Sequence, residues 1–322
     1  MSDPKTLVQE QLARNSWGLL GTQGHVLGID LGGYGLRAAL VDLHSRTYTN
    51  AHAEIQDPTP QQVVDQAIGL TRELLKNTGV TPDRLVRIGI GFGGPVDPVR
   101  GVARLSTRVP GWENFPITAS FERTFDAVTL LDNDATLTAL GEATFGTGQN
   151  CENLFYMHLS SGVGGGLVIN GQLYHGATAT AGEIGHVLVS REWEGVSETA
   201  TLEELVSIDG LLRRARQQGL DTQNLNDIFS DHPVAQRVVA ETVNLLALRM
   251  AQITTLLDPQ VIVLGGIVVR IGGERFVQAI DQQMRQFIAP QFAHPVKVIA
   301  SVLGVESIAI GALALALKSL RD

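Results

Sequence analysis

The chain has 322 residues, enough for about two domains, and its 44% hydrophobic and 18% charged residues are a globular composition, not a disordered one. A net charge of −9 and an aromatic content of 5% argue against a broad nucleic-acid footprint or a base-stacking platform. The single cysteine, Cys151, excludes an intramolecular disulfide and a zinc site built from several thiolates, and it fits a reducing, cytoplasmic setting.

The first twenty residues, MSDPKTLVQEQLARNSWGLL, hold no apolar core of signal-peptide length. Residues 4–24 read as a short amphipathic helix and a glycine-containing lead-in, too short for a winged helix–turn–helix. From His25, VLGIDLGG is a buried strand running into glycines, LRAALVDL a second strand and YTNAHAEI a third; Gly32, Gly33 and Gly35 make the first pair a tight β-turn-β. TPQQVVDQAIGLTRELLKN, 59–77, has helical periodicity, with Thr59 as N-cap and Pro60 at the first position. VRIGIGFGGPVD is a fourth strand ending in a Gly-Pro loop, and VTLLDNDATLTALGEATFG is strand, turn and helix.

The second half starts over. LFYMHLSSGVGGGLVING is again strand, glycine turn, strand, followed by helices at 200–218 and 234–257, strands VIVLGG and VKVIAS, and a final helix at 305–320. The repetition predicts an α/β protein of two lobes, divided near residue 131. The longest apolar stretches, near 259–269 and 308–317, are too short to span a bilayer, so no membrane partner is expected. The basic run RRAR at 213–216 reads as a solvated helix face.

Five constellations carry possible chemistry. GIDLGG, 28–33, sets Asp30 beside the exposed amides of a glycine turn, an arrangement suited to a metal-bound polyphosphate or to an ordinary hairpin. SSGVGGG, 160–166, repeats that device with two hydroxyls. LLDNDAT places acids at the carboxyl end of an apolar strand, where Asp134 can take a proton from an attacking alcohol and Asn133 can bond its neighbour, or where Asp132 or Asp134 caps the next helix. AGEIGH spaces Glu183 and His186 three apart, for gripping vicinal hydroxyls or a metal or for a purely structural role. VIVLGG ends in Gly265 and Gly266, bare backbone against which an adenine or ribose can lie.

Together these stretches resemble the ROK family (repressors, uncharacterised reading frames and sugar kinases) of the actin-like, hexokinase-type ATPase superfamily. The resemblance runs from about residue 25 and is most specific in SSGVGGGLVINGQLYHGATATAGEIGH, 160–186, with DLGG, GPVD, PGW, NDA, LGE and DPQVIVLGG in the family's order. It implies a two-lobed actin-like (ribonuclease H-like) fold with a ligand cleft, lobes at 25–131 plus 305–322 and at 132–304, and an N-terminal extension at 1–24. It implies phosphate loops at Asp30, Gly32 and Gly33 and at Ser161, Gly162, Gly164, Gly165 and Gly166, with Gly265 and Gly266 by the adenosine. Asn133, Asp134, Glu183, His186 and Glu203 match sugar-gripping positions, and Asp134 matches the catalytic base.

Three departures stand out. Tyr34 replaces the usual phosphate-loop Thr, Arg108 stands where the family often has Asn, and Glu194, Val196 and Thr201 fall where its zinc cysteines would be. The expectation is therefore a cytoplasmic, homodimeric ATP- and Mg²⁺-dependent kinase of a hexose or N-acyl hexosamine, without structural zinc and without direct nucleic-acid binding. Its alternative is a catalytically degenerate sugar-binding regulator lacking its own DNA-binding domain.

Overall fold

The computed structural model describes residues 3–14, 23–32, 35–56, 59–104, 109–193, 196–292 and 295–320. The chain divides into two compact units: Met1–Asn150 with His175–Thr180 and Val305–Asp322, and Cys151–Tyr174 with Ala181–Gly304.

The first unit opens with α1 (Pro4–Arg14), which buries Val8 and Leu12, one turn apart on a single face. Strands β1 (His25–Asp30), β2 (Leu36–Asp42) and β3 (Tyr48–Ala53) form an antiparallel meander, in which Asp30 lies opposite Arg37. Helix α2 (Pro60–Thr78) follows. Thr59 stands at its N-cap position without a side-chain cap bond, and Pro60 supplies the preset first turn. β4 (Leu85–Phe92) lies parallel to β1, and β5 (Val96–Asp97), β6 (Val102–Ala103) and β7 (Phe115–Pro116) make a small sheet. After α3 (Ile117–Phe125), β8 (Val128–Asn133) pairs parallel with β4 and leads directly into α4 (Asp134–Thr144). The main sheet has the order β3-β2-β1-β4-β8.

The second unit repeats that order as β11-β10-β9-β14-β15. β9 (Leu154–Leu159), β10 (Val163–Ile169) and β11 (Gln172–Leu173) are antiparallel neighbours. β12 (Leu188–Trp193) and β13 (Val196–Thr201) form a separate hairpin. Then come α5 (Leu202–Val206), α6 (Ile208–Gln217), α7 (Leu225–Ile228) and the long α8 (Pro233–Leu257). β14 (Val261–Gly265) and β15 (Lys297–Ala300) add to the sheet in parallel, with α9 (Ile267–Gln286) between them.

The chain then returns to the first unit as α10 (Ser307–Lys318), which is apolar on all sides and is a core helix. It lies on bare backbone. A Cβ at Gly28 would stand 2.2 Å from Ala309 O, and one at Gly89 would stand 2.0 Å from Ala312 O. On its other side, a Cβ at Gly311 would meet Leu137 O of α4 at 2.0 Å. Glycine at these places lets strand, helix and helix close to backbone contact.

Several expectations change. The division falls after Asn150 rather than near residue 131, because α4 is clamped to α10 and belongs with the first sheet. The helix expected at 200–218 is two helices joined at Ser207, whose side chain accepts the Gly210 N–H at the start of α6. Residues Leu188–Trp193 and Val196–Thr201, where no strand was expected, pair as β12 and β13. α3 and α9 were not apparent in the pattern. α9 starts at Gly266 without a side-chain cap and bends at Gly273, which has φ 66°.

Within the RRAR run, Arg214 is not solvated, while Arg216 is exposed. Arg214 is fully buried, bonding Leu205 O at 2.9 Å, Thr242 Oγ1 at 2.9 Å, Val238 O at 3.2 Å and Glu241 Oε2 at 2.6 Å. Its planar fork satisfies carbonyls and a carboxylate at once, joining α5 and α6 to α8.

Candidate functional site

In the first unit, Asp30 closes β1 and is 3% exposed. Arg37, its partner across the ladder, reaches it only at 3.9 Å and reaches Glu306 at 3.9 Å. Burial pushes the Asp30 carboxyl up to about 7; Arg37 opposes this, nearby Asp134 adds to it, the Gly32 amide opposes it and Glu306 adds to it. Burial likewise raises Glu306, against Arg37. A Cβ at Gly32 would lie 2.6 Å from Asp30 Oδ1, so the turn folds over the carboxylate only because residue 32 is glycine.

Asp30 Oδ1 has no hydrogen bond of normal geometry. Two carboxylates, Asp30 and Glu306, thus face one guanidinium with Asp134 near Asp30, a local deficit of positive charge that fits a hydrated Mg²⁺ carried in on polyphosphate. Gly33, Tyr34 and Arg108 lie outside the described residues.

The Asn-Asp-Ala corner sits at the junction of β8 and α4. The cap is Asn133, not Asp132 or Asp134. Its Oδ1 accepts the Ala135 and Thr136 N–H groups at 3.0 and 3.2 Å, and its Nδ2 donates to Gly94 O at 3.1 Å. Asn133 therefore spends most of its amide holding the corner and keeps one N–H for a ligand. Asp134 Oδ1 accepts the Ala135 N–H at 2.7 Å, and its Oδ2 faces the bare Gly93. Behind them Asp132, 3% exposed, accepts the Asn133 N–H at 2.8 Å on Oδ1 and holds His175 Nε2 at 2.6 Å on Oδ2. His175 was missed in the sequence, where nothing links it to a residue 43 positions away.

In the second unit, Ser160, Ser161 and Gly162 make the turn between β9 and β10, closed by Ser160 N–H to Gly162 O at 2.9 Å. Gly164, Gly165 and Gly166 are not in that turn. They lie within β10, opposite His158, Met157 and Tyr156. The smallness of Gly165 has a packing reason: a Cβ there would stand 2.9 Å from the Phe155 ring and 3.0 Å from Gly182 O.

The following segment closes on the same strand. Gly182, with φ 95°, approaches Gly165 O so that a Cβ would stand at 2.2 Å, and Gly185 approaches Val163 O so that a Cβ would stand at 2.1 Å. These contacts seat the single 3-10 turn Ile184–His186. Glu183 and His186 fall on one side of it, with Oε2 and Nε2 3.5 Å apart and side chains 37% and 67% exposed.

Glu203, in the first turn of α5, accepts the Val163 N–H at 2.8 Å, so it is tied to the start of the same strand. A capping box between Thr201 and Glu204 fixes the start of α5. Of the positions where the resemblance would place zinc cysteines, Glu194 lies outside the described residues, and Val196 and Thr201 pair in the ladder from Leu188↔Thr201 to Trp193↔Val196, which also has a Ser190–Thr199 hydroxyl bond of 3.0 Å. Leu202 N–H to Val187 O at 2.9 Å closes its base. Among the described residues, no three His, Cys, Asp or Glu side chains converge to hold a metal ion.

Gly265 and Gly266 end β14. A Cβ at Gly265 would meet the Tyr156 hydroxyl at 2.4 Å, and one at Gly266 would meet Leu159 O at 2.2 Å. Both glycines are demanded by packing on β9, whatever else lies against them.

Two sheets of identical order, each with a glycine turn between its first antiparallel strands, define the class of actin-like, two-lobed sugar-kinase folds. The ROK family profile matches residues 26–319, and the chain belongs to the ROK family. It is 30% identical over 70% of its length to the glucokinase of Halalkalibacterium halodurans, covering 74% of that protein. It is 24% identical over 93% of its length to the xylose repressor of Bacillus spizizenii, covering 78% of that protein.

Among solved structures, the ROK hexokinase of Thermus thermophilus superposes with a TM-score of 0.80 at 27% identity, covering 92% of this chain and 99% of that one. A ROK glucokinase of Streptomyces griseus, crystallised with glucose and AMPPNP, gives 0.72 at 25% identity, covering 91% and 99%.

Proposed function

We propose that the protein is an ATP-dependent sugar kinase, transferring the γ-phosphoryl group to a hydroxyl of a hexose or N-acyl hexosamine. The observation that carries this reading is the corner at β8 and α4, where Asp134 is set beside a cap residue and backed by a buried carboxylate. In the reaction Asp134 takes the proton of the attacking hydroxyl as the new O–P bond forms and the bond to the ADP oxygen breaks. The remaining N–H of Asn133, with Glu183, His186 and Glu203, holds the neighbouring hydroxyls. Ser161, Gly162 and the Asp30–Gly32 turn receive the phosphates, and Gly265 and Gly266 lie by the adenosine. Mg²⁺, when bound, neutralises phosphate charge, and Asp30 is the residue that would hold it through water. The glucose and AMPPNP of the Streptomyces griseus glucokinase support the same pair of substrates.

A second reading, a sugar-binding regulator without turnover, has its own support. The xylose repressor matches nearly the whole chain, and Tyr34 and Arg108 depart from the kinase pattern. Calorimetric titration of Mg·ATP into the protein, with and without a sugar mixture, separates the two. The kinase reading expects ATP binding in the micromolar to low millimolar range; sugar binding without any ATP binding would leave the regulator.

A further inference from the structure

The Asn-Asp-Ala corner is supported from behind by a contact that the proposed reaction does not use. His175 Nε2 lies 2.6 Å from Asp132 Oδ2, and Asp132 Oδ1 accepts the Asn133 N–H at 2.8 Å. Asn133 in turn holds the Ala135 and Thr136 amides and Gly94 O. An unbroken run of hydrogen bonds therefore leads from His175 to the residue beside Asp134.

Asp132 is almost wholly buried, while the His175 side chain is 37% exposed. A buried carboxylate needs a charged or hydrogen-bonding partner, and removing that partner leaves a group that must find water or move. Asp132 lies near the end of β8, two residues before Asp134, so such a rearrangement reaches the corner. The hydrogen bond to Asp132 also raises the His175 pKa, against the effect of burial. Residues His175–Thr180 lie with the first unit, although the chain on either side belongs to the second. Their place there includes this bond and a bond from Arg104 Nη1 to Thr178 O at 3.4 Å.

We propose that His175 is a positioning residue, fixing Asp134 through Asp132 and Asn133 without touching substrate. Its catalytic consequence rests on the kinase reading; its structural consequence does not.

The test compares full-length wild type, His175→Ala and His175→Arg by two readouts: hydrogen exchange of the amides of residues 133–136, and steady-state turnover. In His175→Ala, exchange at Asn133, Ala135 and Thr136 should quicken by about tenfold or more. Its kcat should fall by about tenfold to a hundredfold, with KM for ATP unchanged. His175→Arg, which returns a charged donor, should restore both. Unchanged exchange and kcat in His175→Ala would overturn the proposal. So would a parallel loss of kcat, KM and melting temperature that His175→Arg does not repair. Should His175→Ala fail to fold, His175→Leu, which fills the space without a donor, serves the same comparison. Absence of turnover in the wild type would count against the kinase reading alone, and the exchange data would then decide the role of His175.

Discussion

Asp30 shows how one residue carries both a cost and a use. Its carboxyl stands at about 7 because it is buried, with Asp134 and Glu306 adding to the effect of burial. An unfolded Asp titrates near ~3.9, so between about pH 4 and 7 the folded protein keeps a proton that the unfolded chain has lost. Stability conferred by that proton is complete below about pH 4 and is lost as pH rises through 7. Asp30→Asn removes the effect. Without Mg·ATP, the variant should melt a few degrees above wild type near pH 8, and the gap should close toward about pH 4. A gap independent of pH, read by calorimetry, would show that Asp30 is not the group responsible.

The second residue-scale prediction concerns the turn that carries Glu183 and His186. Gly185→Ala would drive a methyl into Val163 O at 2.1 Å. It should cost about 1–3 kcal/mol and weaken sugar binding, checked by denaturant unfolding and by sugar titration. As candidates, Asp30, Asn133, Asp134, Glu183 and His186 are legible in the sequence because each sits beside a glycine, at a strand end or at the corner of a strand and a helix. His175 was not visible, because its partner is distant in sequence, and neither was the cap role of Asn133, which depends on local backbone geometry.

At the scale of elements, Arg214 is the fastening of α5 and α6 to α8. Arg214→Leu leaves Glu241 and three acceptors behind and should destabilise the protein by about 3 kcal/mol, measured by urea unfolding. Because α5 also carries Glu203, whose carboxylate holds the start of β10, sugar affinity should fall with it. A change below about 0.5 kcal/mol would mean that the site relaxes freely around the loss.

The basic run misled for a physical reason. Charge alone does not say that Arg214 will be buried among carbonyls of two other helices while Arg216 stays exposed. The other misreadings have similar causes. In α9 the β-branched run Ile-Val-Val and two glycines mask a helix that tertiary packing stabilises. The β12 and β13 strands, LVSREW and VSETAT, lack a clean apolar–polar alternation, so their pairing carries little local sign. Strands β1, β4, β9 and β14 were plain, since strands buried on both faces read as continuous apolar runs.

Across the whole molecule, two units built on the same strand order were foreseen from the repetition of strand, glycine turn and strand. What the pattern did not reveal is where one unit stops, because the boundary is set by α10. That helix, last in sequence, lies on β1 and β4 and holds α4 through Gly311. Gly89→Ala, whose methyl would meet Ala312 O at 2.0 Å, should therefore disturb the first unit at its centre and lower its stability by about 1–3 kcal/mol.

In the proposed reaction this ROK-family chain turns over ATP and a sugar with Asp134 as base. The most direct measurement is ADP release over a panel of hexoses and N-acyl hexosamines, for wild type and Asp134→Asn. Sugar-dependent release is expected from the wild type and should be abolished in Asp134→Asn while calorimetric sugar binding persists. Undiminished turnover in Asp134→Asn, or no turnover by the wild type with any sugar that it binds, would contradict it.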